Sequence, residues 1–176
     1  MTLRVTLDYH PDETRLSLVS RLALANGYRS MQAFLSLNAV TAAAFEAGKP
    51  EAIALLTKWS GIDPSLLSGN DIKSAGSGSN WWLGPALMNK EMRAGPYHRY
   101  CPKCVVADLR EGNGRPATRP YVRINWVTRA IQTCLHHECE IVEKPAGKWE
   151  VGDFSQFAAD NVTLIEQEAA KQSTRS

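Results

Sequence analysis

The chain has 176 residues and an apolar share of 44%, enough for one ordinary domain or two small ones, which excludes a largely disordered protein. The net charge is only +2, but residues 90–129 carry nine basic and three acidic side chains, whereas residues 138–176 carry four basic and eight acidic ones. A basic middle segment predicts either a surface that faces a polyanion or arginines that solvate a loop-rich region.

No apolar run approaches the ~20 residues needed to cross a bilayer, and the first residues, MTLRVTLDYHPDE, lack the apolar stretch of a signal peptide. We therefore expect a cytoplasmic protein without a membrane partner. Thiols stay reduced in that compartment, so four cysteines in two clusters predict a metal site rather than disulfides.

The first half of the chain predicts helices. LRVTL at 3–7 is typical of a short strand, and Thr14 then begins a helix whose apolar residues share one face. Asn26 and Gly27 end this helix, and Ser30 caps a second one. The spacing of the two helices is that of a helix-turn-helix.

Two more helices are predicted at 39–47 and from Pro50 to Gly61, and a further turn follows at 64–69. The fourth helix and this turn form a second helix-turn-helix-like pair. Neither candidate second helix carries a lysine or arginine in its body, which argues against direct reading of DNA. Base readout and ordinary helical packing remain the two interpretations.

Composition divides the chain into three parts. Residues 69–80, GNDIKSAGSGSN, are rich in Gly, Ser and Asn and predict a flexible linker. We expect a helical, helix-turn-helix-like domain at 1–80, a zinc-finger lobe at 81–150, and an acidic, partly disordered tail at 151–176. The predicted fold class is mainly α with a small zinc-bound α/β lobe.

Two short motifs predict the metal site. Cys101 and Cys104 form a CxxC pair, and Cys134 and His137 repeat the same two-residue gap. Together they would complete a tetrahedral set of three cysteines and one histidine, a donor set typical of structural zinc. Cys139 lies two residues after His137 and could replace one member of the set. The alternative is that the four cysteines are unrelated core residues.

Four protein ligands would leave no coordination position for water, so the predicted zinc is structural rather than catalytic. The HHE at 136–138 contains the H-x-E of nucleic-acid deaminases, but in those enzymes the CxxC follows this motif, whereas here it precedes it. The sequence also lacks HExxH, Walker A and G-x-S-x-G motifs. An enzyme is therefore the least favoured class.

Three segments in order carry a family resemblance: SLVSRLALANGYRSMQAFL, then RYCPKCVVADL, then RPYVRINWVTRAIQTCLHH. Over about residues 12–143 the chain resembles the N-terminal domain of TniQ proteins, which include TnsD-type target selectors of transposons. The resemblance implies that Cys101, Cys104, Cys134 and His137 are the zinc ligands. PAGKWEVGDF stands where the family usually carries a further CPxC, so a second zinc site is not expected. Many members are longer, and the resemblance leaves open whether this chain is a minimal form or part of a larger protein.

The resemblance also implies a function. Family members are transposition accessory proteins without catalysis, which bind target DNA or a CRISPR guide complex standing at it and recruit an AAA+ ATPase. We therefore expect target DNA and that ATPase as partners, with the guide complex as a further option and the oligomeric state, including a homodimer, left open. The chief alternative is a zinc adaptor that contacts only proteins.

Basic residues around the predicted zinc lobe are candidates for phosphate contacts, because such contacts position a protein on DNA without reading its sequence. These candidates are Arg99, Lys103, Arg110, Arg115 and Arg119. Arg123 and Trp126, within PYVRINW, are instead predicted to tie this segment to the core.

Overall fold

A computed structural model of the chain describes residues 3–76, 79–147 and 150–173. The helices are α1 Arg15–Ala25, α2 Met31–Leu37, α3 Ala42–Glu46, α4 Pro50–Ser60, α5 Pro102–Arg110, α6 Phe154–Asp160 and α7 Val162–Ser173. The strands are β1 Ile72–Ser74, β2 Trp81–Leu83, β3 Ala86–Met88, β4 Tyr97–Tyr100 and β5 Val142–Pro145. Short 3-10 helices cover Lys90–Met92, Pro116–Thr118 and Ile124–Val127. The described residues therefore form a mixed α/β protein with seven α-helices and two small sheets.

Local sequence signals set the ends of the first helices, as predicted. The Thr14 side chain accepts a hydrogen bond from the Ser17 amide and caps α1, and Ser30 caps α2 in the same way through the Ala33 amide. Gly27 follows α1 with a left-handed φ of 79°. The predicted ends of α1 and α4 and the predicted start of α2 are confirmed, while the third helix is shorter than predicted.

The predicted strand at 3–7 is wrong. Its backbone is bound by a side chain instead of a strand. The Asn26 side-chain oxygen accepts hydrogen bonds from the backbone amides of Arg4 and Val5, and the Asn26 side-chain nitrogen donates to the Val5 carbonyl. Leu3 is buried in the helical core. The segment is thus held as extended chain against the end of α1, without a partner strand.

Helices α1 to α4 enclose the first hydrophobic core. Its fully buried large side chains are Leu18, Leu22, Phe34, Leu35, Phe45, Leu56, Trp59 and Leu67. Arg15 lies at the edge of this core and is itself buried. Its guanidinium donates to the carbonyls of Phe45, Glu46 and Leu67 and pairs with Asp71, so one side chain joins four chain segments.

The structure departs from the predicted linker at 69–80. Residues Ile72–Ser74 form β1, which pairs antiparallel with β2, and β2 pairs with β3 to complete a three-stranded sheet. The predicted boundary between residues 80 and 81 therefore falls inside one sheet. Composition misled here because Ile72 supplies an apolar side chain that the sheet buries; residues 77 and 78 of the predicted linker lie outside the described residues.

The predicted acidic, partly disordered tail is also corrected, because most of it folds as α6 and α7. Phe154 and Ala158, about one turn apart on α6, and Ile165 on α7 are buried in the second hydrophobic core, together with Tyr100, Val105 and Trp126. Residues 171–173 of the predicted disordered end belong to α7, and residues 174–176 lie outside the described part of the chain.

The C-terminal segment also joins the two cores. The buried Asp153 carboxylate accepts hydrogen bonds from the Ser20 hydroxyl and from the Met31 amide at the start of α2, both at 2.7 Å. The Ser155 amide in turn donates to the Ser20 hydroxyl. The segment that begins α6 is therefore attached to both α1 and α2.

Candidate metal centre

The first half of the candidate site is the beginning of helix α5. Cys101 is its N-cap, Pro102 occupies the first helical position, and the Cys101 sulfur accepts a hydrogen bond from the Cys104 amide at 3.4 Å. Proline suits this position because its φ is already helical and no amide hydrogen is needed there. The helix start thus holds the two cysteine side chains in one small volume.

A tight hairpin at 133–140 forms the second half. Thr133 pairs with Glu140, and the Cys134 amide donates to the Cys139 carbonyl at 2.8 Å. Within the turn, the Glu138 amide donates to the Cys134 carbonyl, and Glu138 has a left-handed φ of 51°. The turn places Cys134 and His137 side by side opposite α5.

The structure brings the four predicted side chains together. The ligand atoms of Cys101, Cys104, Cys134 and His137 all lie within 4.8 Å of one another. The Nδ1 atom of His137 is 3.6, 3.2 and 3.7 Å from the sulfurs of Cys101, Cys104 and Cys134, and the last two sulfurs are 3.6 Å apart. Tetrahedral coordination with metal–sulfur bonds of ~2.3 Å and metal–nitrogen bonds of ~2.0 Å gives edges of about 3.5 to 3.8 Å. The donor set therefore fits a tetrahedral metal ion.

The protonation of these donors is adjusted by their surroundings. A hydrogen bond with Cys104, together with burial, raises the pKa of the Cys101 thiol, and burial also raises the pKa of Cys134. Burial lowers the pKa of His137 and so favours the neutral imidazole, which is the form that binds metals. A cation among the sulfurs would offset the cost of holding buried thiolates, which is how metal binding couples to folding.

Cys139 lies beside this cluster and outside the group of four. Its sulfur is 3.4 Å from the Cys101 sulfur, and the side chain is buried. Burial raises the pKa of the Cys139 thiol to about 11. The sequence left open whether Cys139 replaces one of the four donors. In the structure Cys139 is a fifth donor, in contact with Cys101.

The predicted structural roles of Arg123 and Trp126 are confirmed. Both side chains are buried, and the Arg123 guanidinium donates two hydrogen bonds, at 3.0 and 2.9 Å, to the two carboxylate oxygens of Asp108 on α5. The same guanidinium lies 4.2 Å from the ring centre of Tyr121 and 4.9 Å from that of Trp126. Arg123 therefore fixes the orientation of the helix that carries Cys101 and Cys104.

The predicted phosphate contact of Arg99 is corrected. The side chain is only 4% exposed, and its guanidinium donates to the carbonyls of Trp126, Thr128 and Ile131. Its Nε atom is 2.8 Å from a carboxylate oxygen of Glu143. The guanidinium therefore has no free face for a phosphate. Arg99 instead joins β4 to the segment that leads into the hairpin at 133–140. We call the start of α5, with Cys101 and Cys104, the first knuckle, and this hairpin the second knuckle.

The other four predicted phosphate contacts differ in availability. Arg115 is exposed, but one of its amino groups donates to the Leu24 and Ala25 carbonyls at the end of α1. Arg119 is half-buried and donates to two backbone carbonyls. Lys103 and Arg110, both on α5, have no carboxylate within 4.0 Å among the described residues.

Sequence reasoning missed two parts of this lobe. One is Asp108, the partner of Arg123. It is a single acidic residue within α5, and nothing in its sequence surroundings indicates an ion pair. The other is the set of α6 and α7 side chains that complete the core around the cysteines. The four-residue spacing of Phe154 and Ala158 was a readable helical signal for α6, and the acidic composition concealed it.

The fold and the site together define a class: a small mixed α/β protein in which three cysteines and one histidine form a cluster that could hold a metal ion. The family model for TniQ matches residues 4–141, and the chain belongs to the TniQ family. No curated protein matches the sequence significantly. Family membership suggests an accessory protein for target selection in transposition, a group without catalysis of its own.

Among the residues that the structure describes, no helix is long and apolar enough to cross a membrane.

Proposed function

We propose that this protein is a non-catalytic accessory factor that helps select the target site in transposition, by contacting DNA or a target-bound complex and recruiting an AAA+ ATPase. The observation that carries the proposal is the family match, which extends over most of the chain and includes both knuckles. A closed set of four protein donors supports the absence of catalysis at the metal, because such a set leaves no position for a substrate or water.

The metal in this proposal is zinc in a structural role. Three thiolates and one imidazole are a usual donor set for structural zinc, and the separations between the donor atoms agree with that ion. The ion would connect the start of α5 to the hairpin at 133–140. The direct test is metal analysis of the purified chain. We expect about one zinc per chain in the wild type, and we expect Cys101→Ser to abolish zinc binding.

Lys103 and Arg110 are the proposed phosphate contacts. They are seven residues apart on α5, so they lie on the same side of the helix and about 10 Å apart along its axis. Both line a groove between α5 and α7, in which Glu166 is the acidic residue on α7. Phosphate contacts of this kind supply affinity and orientation rather than sequence recognition.

A fluorescent DNA duplex titrated at several salt concentrations tests this contact. The logarithm of the binding constant falls by about 0.9 per phosphate contact for each decade of salt. K103A/R110A should therefore weaken binding and reduce the salt slope by about 2. The matched control is Lys58→Ala, which removes an exposed lysine from α4, far along the chain from α5. The salt slope of this variant should equal that of the wild type. Equal slopes in all three proteins would reject the contact.

A protein-only adaptor is the second candidate function, and one surface favours it. Trp82 and Leu87 lie directly opposite each other on β2 and β3, and they are 39% and 54% exposed. Paired exposed apolar side chains of this size are typical of protein interfaces. No duplex binding at low salt, together with loss of ATPase binding in W82A/L87S, would favour the adaptor.

A further inference from the structure

The second knuckle presents one donor more than a tetrahedral ion needs. Cys134 and Cys139 lie opposite each other at the base of the hairpin, joined by the hydrogen bond from the Cys134 amide to the Cys139 carbonyl. The next pair outward, Thr133 and Glu140, is bridged, so the backbone on both sides of the turn is fixed. The position of Cys139 against the site is therefore built into the hairpin.

The Cys101 sulfur has two neighbours from this hairpin. One is His137 Nδ1 at 3.6 Å, and the other is the Cys139 sulfur at 3.4 Å. Both separations are close to the edge of a tetrahedral site, about 3.5 to 3.8 Å. Two donors thus lie next to the same corner of the tetrahedron, while one position is left for them.

The two donors differ in exposure. Cys101, Cys104 and Cys134 are only 0%, 2% and 1% exposed, whereas His137 is half-buried. His137 is therefore the most accessible of the four donors. Cys139 is buried, on the side of Cys101. The accessible donor, His137, is the one that solvent, acid or a bound partner can displace most readily. The buried donor, Cys139, already has its sulfur 3.4 Å from the Cys101 sulfur.

From these contacts we propose that Cys139 is a reserve metal ligand, which takes the fourth position when His137 leaves and converts a three-cysteine, one-histidine site into a four-cysteine site. This inference rests on the proposed metal site. In the exchange, the bond between His137 and the metal breaks, the Cys139 thiol releases its proton to solvent, and its sulfur bonds to the metal. No oxidant or reductant is involved. The consequence is that the lobe keeps its metal and its fold while the imidazole is free.

Cobalt(II) replaces zinc in such sites and reports the number of bound thiolates through its charge-transfer and d–d absorption. The wild type and Cys139→Ser should both give the spectrum of three thiolates and one nitrogen. His137→Ala should bind one cobalt with a four-thiolate spectrum and an affinity within about tenfold of the wild type. H137A/C139S should lose at least a further 100-fold in affinity. His136→Ala is the matched control, because His136 is the exposed neighbour outside the cluster, and it should resemble the wild type.

Four outcomes would overturn the inference. His137→Ala could bind cobalt through three thiolates only, or fail to fold and to bind metal while Cys139→Ser is normal. H137A/C139S could bind as tightly as His137→Ala. A four-thiolate spectrum in the wild type would make Cys139 a resident ligand and so remove its reserve role. A wild type that binds no metal would instead reject the proposed metal site, so the two failures are distinguishable.

Discussion

Arg123 offers the sharpest test of how the metal lobe is held together. Methionine at this position keeps most of the side-chain volume and removes the charge. The Asp108 carboxylate, whose side chain is 12% exposed, then loses the bidentate partner that it has in the fold. Removing one member of a buried ion pair typically costs about 3 to 5 kcal/mol, because the other charge is left uncompensated.

Arg129 is the matched control. It lies on the same segment, pairs with Glu143 at 3.3 Å, and stacks 5.1 Å from the Tyr97 ring centre, but its side chain is 40% exposed and that of Glu143 is 32% exposed. Exposed pairs of this kind contribute about 0 to 1 kcal/mol. Arg129→Met should therefore change stability little, although the two arginines make the same types of contact.

Thermal and urea unfolding of the metal-loaded proteins measure the difference. For a chain of this length, about 4 kcal/mol corresponds to a fall in Tm of about 8 to 16 °C for Arg123→Met, against at most about 4 °C for Arg129→Met. Replacing both partners, as in R123M/D108L, should recover much of the loss, because no unpaired charge remains. Burial raises the pKa of Asp108 above its usual value even in the wild type, so the Arg123→Met penalty should be larger at pH 8 than at pH 5.5. If the two arginine variants are destabilised equally, the reasoning is refuted.

Three other predictions concern the same lobe. Cys101→Ser, or removal of the metal by a chelator, should unfold the metal lobe because metal binding and folding are coupled; an unchanged melting temperature in the metal-free protein would contradict this. Phe154→Ala should cost about 3 to 5 kcal/mol in urea unfolding, since the side chain is fully buried; a loss below about 1 kcal/mol would mean that α6 is not part of the core. His98 is buried against Phe157, and burial lowers its pKa to about 4. In the unfolded chain the imidazole is protonated below about pH 6.5, whereas in the folded protein it stays neutral down to about pH 4. The free energy of unfolding should therefore fall by about 3 kcal/mol between pH 6.5 and 4. His98→Leu should flatten this part of the stability profile relative to the wild type.

Much of the helical half could be predicted because its signals are local. Thr14 and Ser30 satisfy amides within their own helices, and Gly27 and Gly61 adopt left-handed conformations that end them. The spacing within each cysteine motif likewise predicted which donors could share one ion. These features depend on residues a few positions apart, so no knowledge of the tertiary fold was needed.

Predictions failed where distant contacts decide. LRVTL has the composition of a strand, yet its backbone groups are satisfied by the side chain of Asn26. The Gly- and Ser-rich stretch contains β1 because residues 81–83 offer it a partner. The segment PYVRINW folds partly as a 3-10 helix, Ile124–Val127, in which the Trp126 amide donates to the Arg123 carbonyl.

The sequence alone determined the capped helices, the two matching knuckles and the family, because caps and ligand spacings are short-range properties that any fold must respect. Only the tertiary structure decided which basic side chains are available to a partner. Arg99 and Lys103 look alike as cations in the sequence and differ in the carbonyls and carboxylates around them. The tertiary structure also decided that an acidic C-terminal segment completes the core, and that a fifth donor touches the site. In each of these cases the free energy comes from partners distant in the sequence, such as the Trp126 carbonyl, 27 residues from Arg99, and the Cys139 sulfur, 38 residues from Cys101, and no local pattern records them.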